Sequence, residues 1–136
     1  MKRTAVLCCL LACCLLLLPS CAEGEPTHIV FSISAEEMNE GGTVLPAVEH
    51  VITLPRTALE EQTVMAAIVY ACDALGYPYL REGKYSEILV SVAGRANTAD
   101  KAWKIEAIDT KGNARPVTTD DGLENIVRLS VTYSVS

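Results

Sequence analysis

The chain has 136 residues, half of them hydrophobic, with six cysteines and a formal net charge of −6. That length suits one domain of about 100 to 200 residues and excludes large multidomain enzymes, solenoids and multispan membrane proteins. The apolar content is unevenly spread, since 15 of the 68 apolar residues and four of the six cysteines fall in residues 1–20.

Lys2 and Arg3 make a basic start, Ala5 to Leu18 is an unbroken apolar run of 14 residues, and Leu18-Pro19-Ser20-Cys21 follows at once. A membrane-crossing helix needs about 20 apolar residues, and Pro19 would end it, so residues 1–20 read as a secretory signal peptide. Leu18, the small Ser20 and Cys21 resemble the bacterial lipobox, in which the cysteine thiol receives diacylglycerol before cleavage ahead of it. The resemblance implies lipidation of Cys21, anchoring on the extracytoplasmic face of the membrane in a bacterial cell envelope, and a short tether over 21–26 before a single domain at 27–136. Two or three acyl chains make such an anchor stable where one is marginal. Cys72 is then left without a partner, so no intrachain disulfide is expected. Past residue 20 there are nine basic against 17 acidic residues, a net charge of −8. Nucleic-acid binding depends on clustered Lys and Arg that neutralise phosphates, and no such cluster occurs, so nucleic acid is excluded as a partner.

Thr27 to Ser34 alternates with period two, Ile29, Phe31 and Ile33 against His28, Val30 and Ser32, which predicts a strand with one buried face. Ala35 to Gly42 reads as an acidic turn. Val48 to Leu54 is a second strand, with Pro46 ahead of it placing the stretch at an edge or a strand start. Between Pro55 and Gly76 lies the single predicted helix, about 57–75. Thr57 with Glu60 has capping-box spacing, and Thr63 is an alternative cap for a shorter helix. Val64, Ile68, Cys72 and Leu75 form its apolar stripe, and Gly76 with Pro78 ends it. Tyr77 to Tyr85 reads as a turn-rich crossover, and Ile88, Val90 and Val92 alternate in phase. Trp103, Ile105 and Ala107 alternate again, Lys111-Gly112-Asn113 is a hairpin turn, and a short strand follows at Ala114 to Val117. The last strand carries the strongest alternation, Val127, Leu129, Val131, Tyr133 and Val135 in phase. One sheet covering one helix accommodates this order, so the expected class is α+β, a mixed or antiparallel sheet of four to six strands on a single helix.

The strand ending Ile52-Thr53-Leu54-Pro55, the helix start Thr63-Val64-Met65-Ala66-Ala67, the Gly76-Tyr77 exit, the Trp103 strand, the Gly112 hairpin and the Asp121-Gly122 turn before Val131-Thr132-Tyr133 together resemble the β-grasp family of transcobalamin-type C-terminal domains. That family includes many small bacterial surface lipoproteins. The resemblance covers roughly residues 44–135 and implies a β-grasp-like fold. In transcobalamin-like proteins the domain contacts a corrinoid, so a corrinoid ligand is implied by the resemblance alone.

No other cofactor and no metal is expected. His28 and His50, the only histidines, both fall on polar parity, and two histidines without a Cys or carboxylate constellation do not make a metal site. Cys72 lies on the apolar stripe and reads as a small hydrophobe. Glu36-Glu37, Glu60-Glu61 and Asp120-Asp121 sit at turns or a helix start, where carboxylates serve caps and solubility. No phosphate loop, nucleophile elbow or His-containing triad occurs, so no catalytic activity is expected. The aromatic cluster Tyr77, Tyr79 and Tyr85 around Pro78, joined by Trp103, is the candidate platform for a small ligand or a partner protein, because such rings offer apolar area at low entropic cost. The expected role is a lipid-anchored extracytoplasmic binding or interaction module; the alternative is an accessory structural subunit of a cell-surface protein complex.

Overall fold

A computed structural model describes residues 25–83 and 88–135. Strands β1 (His28–Ala35) and β4 (Val48–Pro55) pair antiparallel through eight residues, from His28 opposite Pro55 to Ala35 opposite Val48. On its other side β1 runs parallel to β10 (Ile126–Val135). β10 pairs antiparallel with β8 (Lys101–Asp109), which continues into β9 (Ala114–Pro116). The resulting mixed five-stranded sheet has the order β4-β1-β10-β8-β9, and with the one α-helix among the described residues it makes an α+β fold.

Period-two alternation decides which side of this sheet is dry. Ile29, Phe31 and Ile33 of β1, Leu54 of β4, Leu129 and Val131 of β10 and Ala107 of β8 are all at most 1% exposed. Helix α1 (Val64–Leu75) contributes Val64, Met65, Ala67, Ile68, Ala71 and Cys72 to the same core. Burying one such large aliphatic or aromatic side chain contributes roughly 1.5–3 kcal/mol, so this layer is the main stabilising term. At the start of β10, Asn125 has a φ of 60° and the β10–β8 register shifts between Ile126 and Arg128. The slip buries both Ile126 and Leu129, which strict alternation could not do.

Three features differ from the sequence expectation. The helix begins at Val64 rather than near residue 57, with Thr63 as its cap, Oγ1 accepting the Ala66 N–H at 3.2 Å. The turn at 119–122 supplies the other acceptors: Val64 N–H donates to Asp121 O at 2.9 Å and Met65 N–H to Thr119 O at 3.0 Å. These contacts satisfy amides that a helix start otherwise leaves unpaired. Residues Arg56–Ala58 form only a short 3-10 turn, because Arg56 is buried and its Nη2 donates to the Leu123 and Ile126 carbonyls. That side chain pins the segment to the base of β10, and the Thr57–Glu60 pair lies ahead of the helix. At the far end Gly76 takes a φ of 74°, and Tyr77 N–H donates to Cys72 O at 2.9 Å, closing the helix as its glycine signals.

The second difference is that the acidic turn at 35–42 holds part of a hairpin, β2 (Met38–Glu40) against β3 (Thr43–Leu45), turning at Gly41 and Gly42. The third is that the crossover after the helix contains a strand. β5 (Tyr79–Glu82) pairs with β6 (Ile88–Val92), which pairs with β7 (Arg95–Ala96). In β6 the buried residues are Leu89 and Val92, not Ile88, Val90 and Val92, and the β5–β6 register is broken between Leu80 and Arg81. The expected single sheet is thus a five-stranded sheet accompanied by a two-stranded and a three-stranded one.

Candidate functional site

Trp103 occupies core parity on β8, directly opposite Tyr133 of β10. Their ring centroids are 5.1 Å apart and the planes are tilted by 46°, within the range where aromatic pairs attract beyond simple burial. Both rings also present a polar handle to β7. Trp103 Nε1–H donates to Arg95 O at 2.8 Å, and Tyr133 O–H donates to Ala96 O at 2.7 Å. Burial pushes the Tyr133 hydroxyl above its ordinary pKa, and the Glu40 carboxylate adds to this while Arg95 opposes it. Tyr133 therefore stays protonated and keeps donating. Asn97 completes the clamp, accepting the Trp103 backbone N–H at 2.9 Å and donating to Leu89 O at 2.8 Å.

Arg95 itself is 1% exposed. Its Nη2 donates to Glu36 O at 2.9 Å, Leu45 O at 3.3 Å and Pro46 O, while Nη1 reaches Ala93 O at 3.5 Å. Nε has no hydrogen-bond partner. Main-chain carbonyls rather than a carboxylate thus solvate this guanidinium. It joins the β2–β3 hairpin to β7, and so fixes the strand whose carbonyls accept from Trp103 and Tyr133.

Beside this clamp a groove of about 640 Å³ runs along β8. Trp103, Ile105, Pro116, Val117, Ile88 and Leu89 supply its apolar lining, and Lys104, Glu106 and Asp120 line it as well. Trp103 is 7% exposed, while Ile88 is 60% exposed. Two further grooves are more polar. One, of about 660 Å³, lies at the C-terminal ends of β1 and β10 among Glu36, Glu37, Glu49 and Lys101. The other, of about 620 Å³, lies beside α1 among Tyr70, Asp73, Tyr79 and Arg81. No family model matches the chain, and no curated protein matches it either. Geometry and sequence alone therefore carry the functional reading.

The expected four-residue aromatic platform is divided. Tyr77 faces His50 of β4, ring centroids 5.6 Å apart, and packs half-buried on the core. Tyr79 lines the groove beside α1. Trp103 lies in the groove along β8, and Tyr85 lies outside the described residues, as do Cys21 and the signal segment. The division follows from β5: once Tyr79 enters a strand, it and Tyr77 no longer share one turn. His28 and His50 are exposed, and no group of three metal-ligating side chains occurs among the described residues. No described helix is long and apolar enough to cross a membrane. Cys72 is buried, and that burial, with the Asp73 carboxylate adding, pushes its thiol up to about 11. It stays protonated at neutral pH, the opposite of what a nucleophilic cysteine requires.

Sequence reasoning missed Arg95, Asn97 and Arg56. Arg95 opens a two-residue strand and Asn97 follows it, and such a strand is too short for alternation to show. A buried arginine solvated by carbonyls has no sequence partner of opposite charge by which to find it.

Proposed function

We propose that the chain is a lipid-anchored, non-catalytic binding module of a bacterial cell envelope, with a β-grasp domain that takes a small apolar or flat ligand in the Trp103 groove. The observation that carries the reading is the groove itself, lined by an aromatic residue and aliphatic side chains with charged side chains alongside. Small-molecule sites have this make-up, mostly apolar lining with a few placed polar groups. Trp103 and Ile105 are set on a paired strand rather than a loop, which holds their positions at low entropic cost. The sheet order β4-β1-β10-β8-β9, with β1 parallel to β10 and the helix following the first long antiparallel pair, supports the β-grasp assignment. The anchor rests on the apolar run 5–18 followed by Leu18-Pro19-Ser20-Cys21.

Trp103 is the only tryptophan, so its emission reports the groove directly. Titration with a corrinoid, with short glycans and with peptides is expected to shift or quench that emission for one class. Ile105→Arg, which fills the trough, is expected to abolish the response while leaving the circular dichroism spectrum unchanged. A silent Trp103 across all three classes, together with stoichiometric co-purification of a protein partner, would favour the accessory-subunit role instead.

A further inference from the structure

The five-stranded sheet ends on β4, and this edge is unguarded. Among the described residues β1 is its only strand neighbour, and the β1–β4 register runs through eight consecutive pairs without a shift. Natural sheets blunt their edges with short strands, lysines, prolines or bulges, because an open row of amides and carbonyls is a template for another chain. The opposite edge follows that practice: β9 is three residues long and contains Arg115. From Val48 to Leu54, β4 has no proline, no lysine or arginine and no bulge. Glu49, His50 and Thr53 are exposed, and Val51 is 68% exposed.

We propose that β4 pairs antiparallel with β4 of a second copy, fusing two five-stranded sheets into one continuous sheet. Symmetry and charge select this occupant. A two-fold axis normal to the sheet brings residues of the same face opposite one another, so it passes through a residue and not between two. With the axis at Val51, every residue from Val48 to Leu54 is paired, Val51 meets Val51, and Glu49 meets Thr53. The single carboxylate of the strand then faces a hydroxyl that can donate to it. Moving the axis to Ile52 sets Glu49 against Pro55, and moving it to His50 sets Leu54 against Pro46 and the two imidazoles against each other. Only the Val51 register keeps both prolines out of the ladder. A chain with net charge −8 past residue 20 repels its copies over most of its surface, and this strand is where that repulsion is locally relieved.

The test uses the full chain in membranes or detergent, treated with a mild oxidant and run on a non-reducing gel. Directly opposed residues in an antiparallel ladder have Cα atoms about 4.5–5.5 Å apart, inside the disulfide range. Val51→Cys is therefore expected to give a dimer band that reductant removes. Thr53→Cys alone is expected to give none, because two copies of residue 53 are offset by four positions, about 14 Å, while Glu49→Cys combined with Thr53→Cys is expected to cross-link again. The wild-type chain alongside sets the background from its own cysteines, Cys72 being buried. Val51→Lys, which opposes two ammonium groups, is expected to halve the sedimenting protein mass. A monomeric Val51→Cys variant, equal cross-linking of the Val51→Cys and Thr53→Cys variants, or Val51→Cys adducts only with other proteins would each overturn the proposal.

Discussion

Arg95→Met removes the guanidinium that joins the β2–β3 hairpin to β7. Two opposed effects set the outcome. The charge is buried without a carboxylate, so replacing it with an apolar side chain relieves a desolvation cost that reaches several kcal/mol for a buried ion. Against this, the carbonyls of Glu36, Leu45, Pro46 and Ala93 lose their donor. A hydrogen bond to a charged group contributes about 1.5–3 kcal/mol, and a buried acceptor left unpaired costs about 1–3 kcal/mol. Glu36 and Pro46 belong to exposed residues, so water can satisfy part of what is lost. The bonds outweigh the relief, and the expected net loss is about 3 kcal/mol. That is a large share of the roughly 5–15 kcal/mol that holds a domain together. With a urea m-value of about 1.5 kcal/mol/M, the midpoint falls by about 2 M, read from Trp103 emission, whose indole donates to Arg95 O. Amide exchange over residues 38–45 should accelerate more than exchange in β1. Arg95→Lys keeps the charge without the fork and is expected to cost about half as much. An unchanged or raised midpoint for Arg95→Met would refute the reasoning and make the guanidinium a tolerated burden rather than a staple.

Ala93 holds a φ of 51° in the β6–β7 turn beside Gly94 at 80°, so Ala93→Gly should raise thermal stability by about 1 kcal/mol by removing left-handed strain, seen as a higher melting temperature. The Cys72 thiol is pushed up to about 11 from 9.0, so the folded state holds its proton after the unfolded state has released it. Stability from this group is intact below pH 9 and falls as pH rises from 9 to 11; Cys72→Ala should lower stability at neutral pH by about 1 kcal/mol yet flatten that alkaline decline in urea titrations. Asp109 is held below its ordinary value chiefly by the Asn113 N–H, with the Lys111 N–H adding. Its support of the β8–β9 turn is present above the unfolded pKa of 3.8 and lost as pH falls through the lower folded value, so the amide resonances of Lys111 and Asn113 should titrate there, and Asp109→Ala should remove that transition. Cys21→Ala should abolish incorporation of labelled palmitate and partition into the detergent phase; equal labelling of the variant would end the anchoring proposal.

Long strands were legible because burial on one face writes itself into every second residue. β1, β8 and β10 each show this, and Ile29, Phe31 and Ile33 lie where their parity placed them. The helix core and its exit at Gly76 were equally plain. Its start was ambiguous because two threonines had cap geometry, and the choice fell to partners distant in sequence, Thr119, Asp121 and the Arg56 contacts. Strands of two to four residues, such as β2, β3, β5 and β7, are too short for a period to register and are held by neighbours instead. The aromatic site was half legible. Residue type marked Trp103 and the tyrosines, but which of them share a groove depends on β5, and the strand-forming tendency of Tyr79-Leu80 was masked by Pro78 and Gly83.

Arg95 and Arg56 place two positive charges inside a domain whose surface is strongly acidic. Arg56 is paired with one carboxylate, Glu25, at 3.8 Å, and the hydrogen bonds of Arg95 go to main-chain carbonyls. Each interior cation attracts the surface carboxylates while these repel one another, so the pair offsets part of their mutual repulsion. Protonating the surface removes the shell and leaves the centre charged. Acid then turns the same two residues from compensating charges into unbalanced ones.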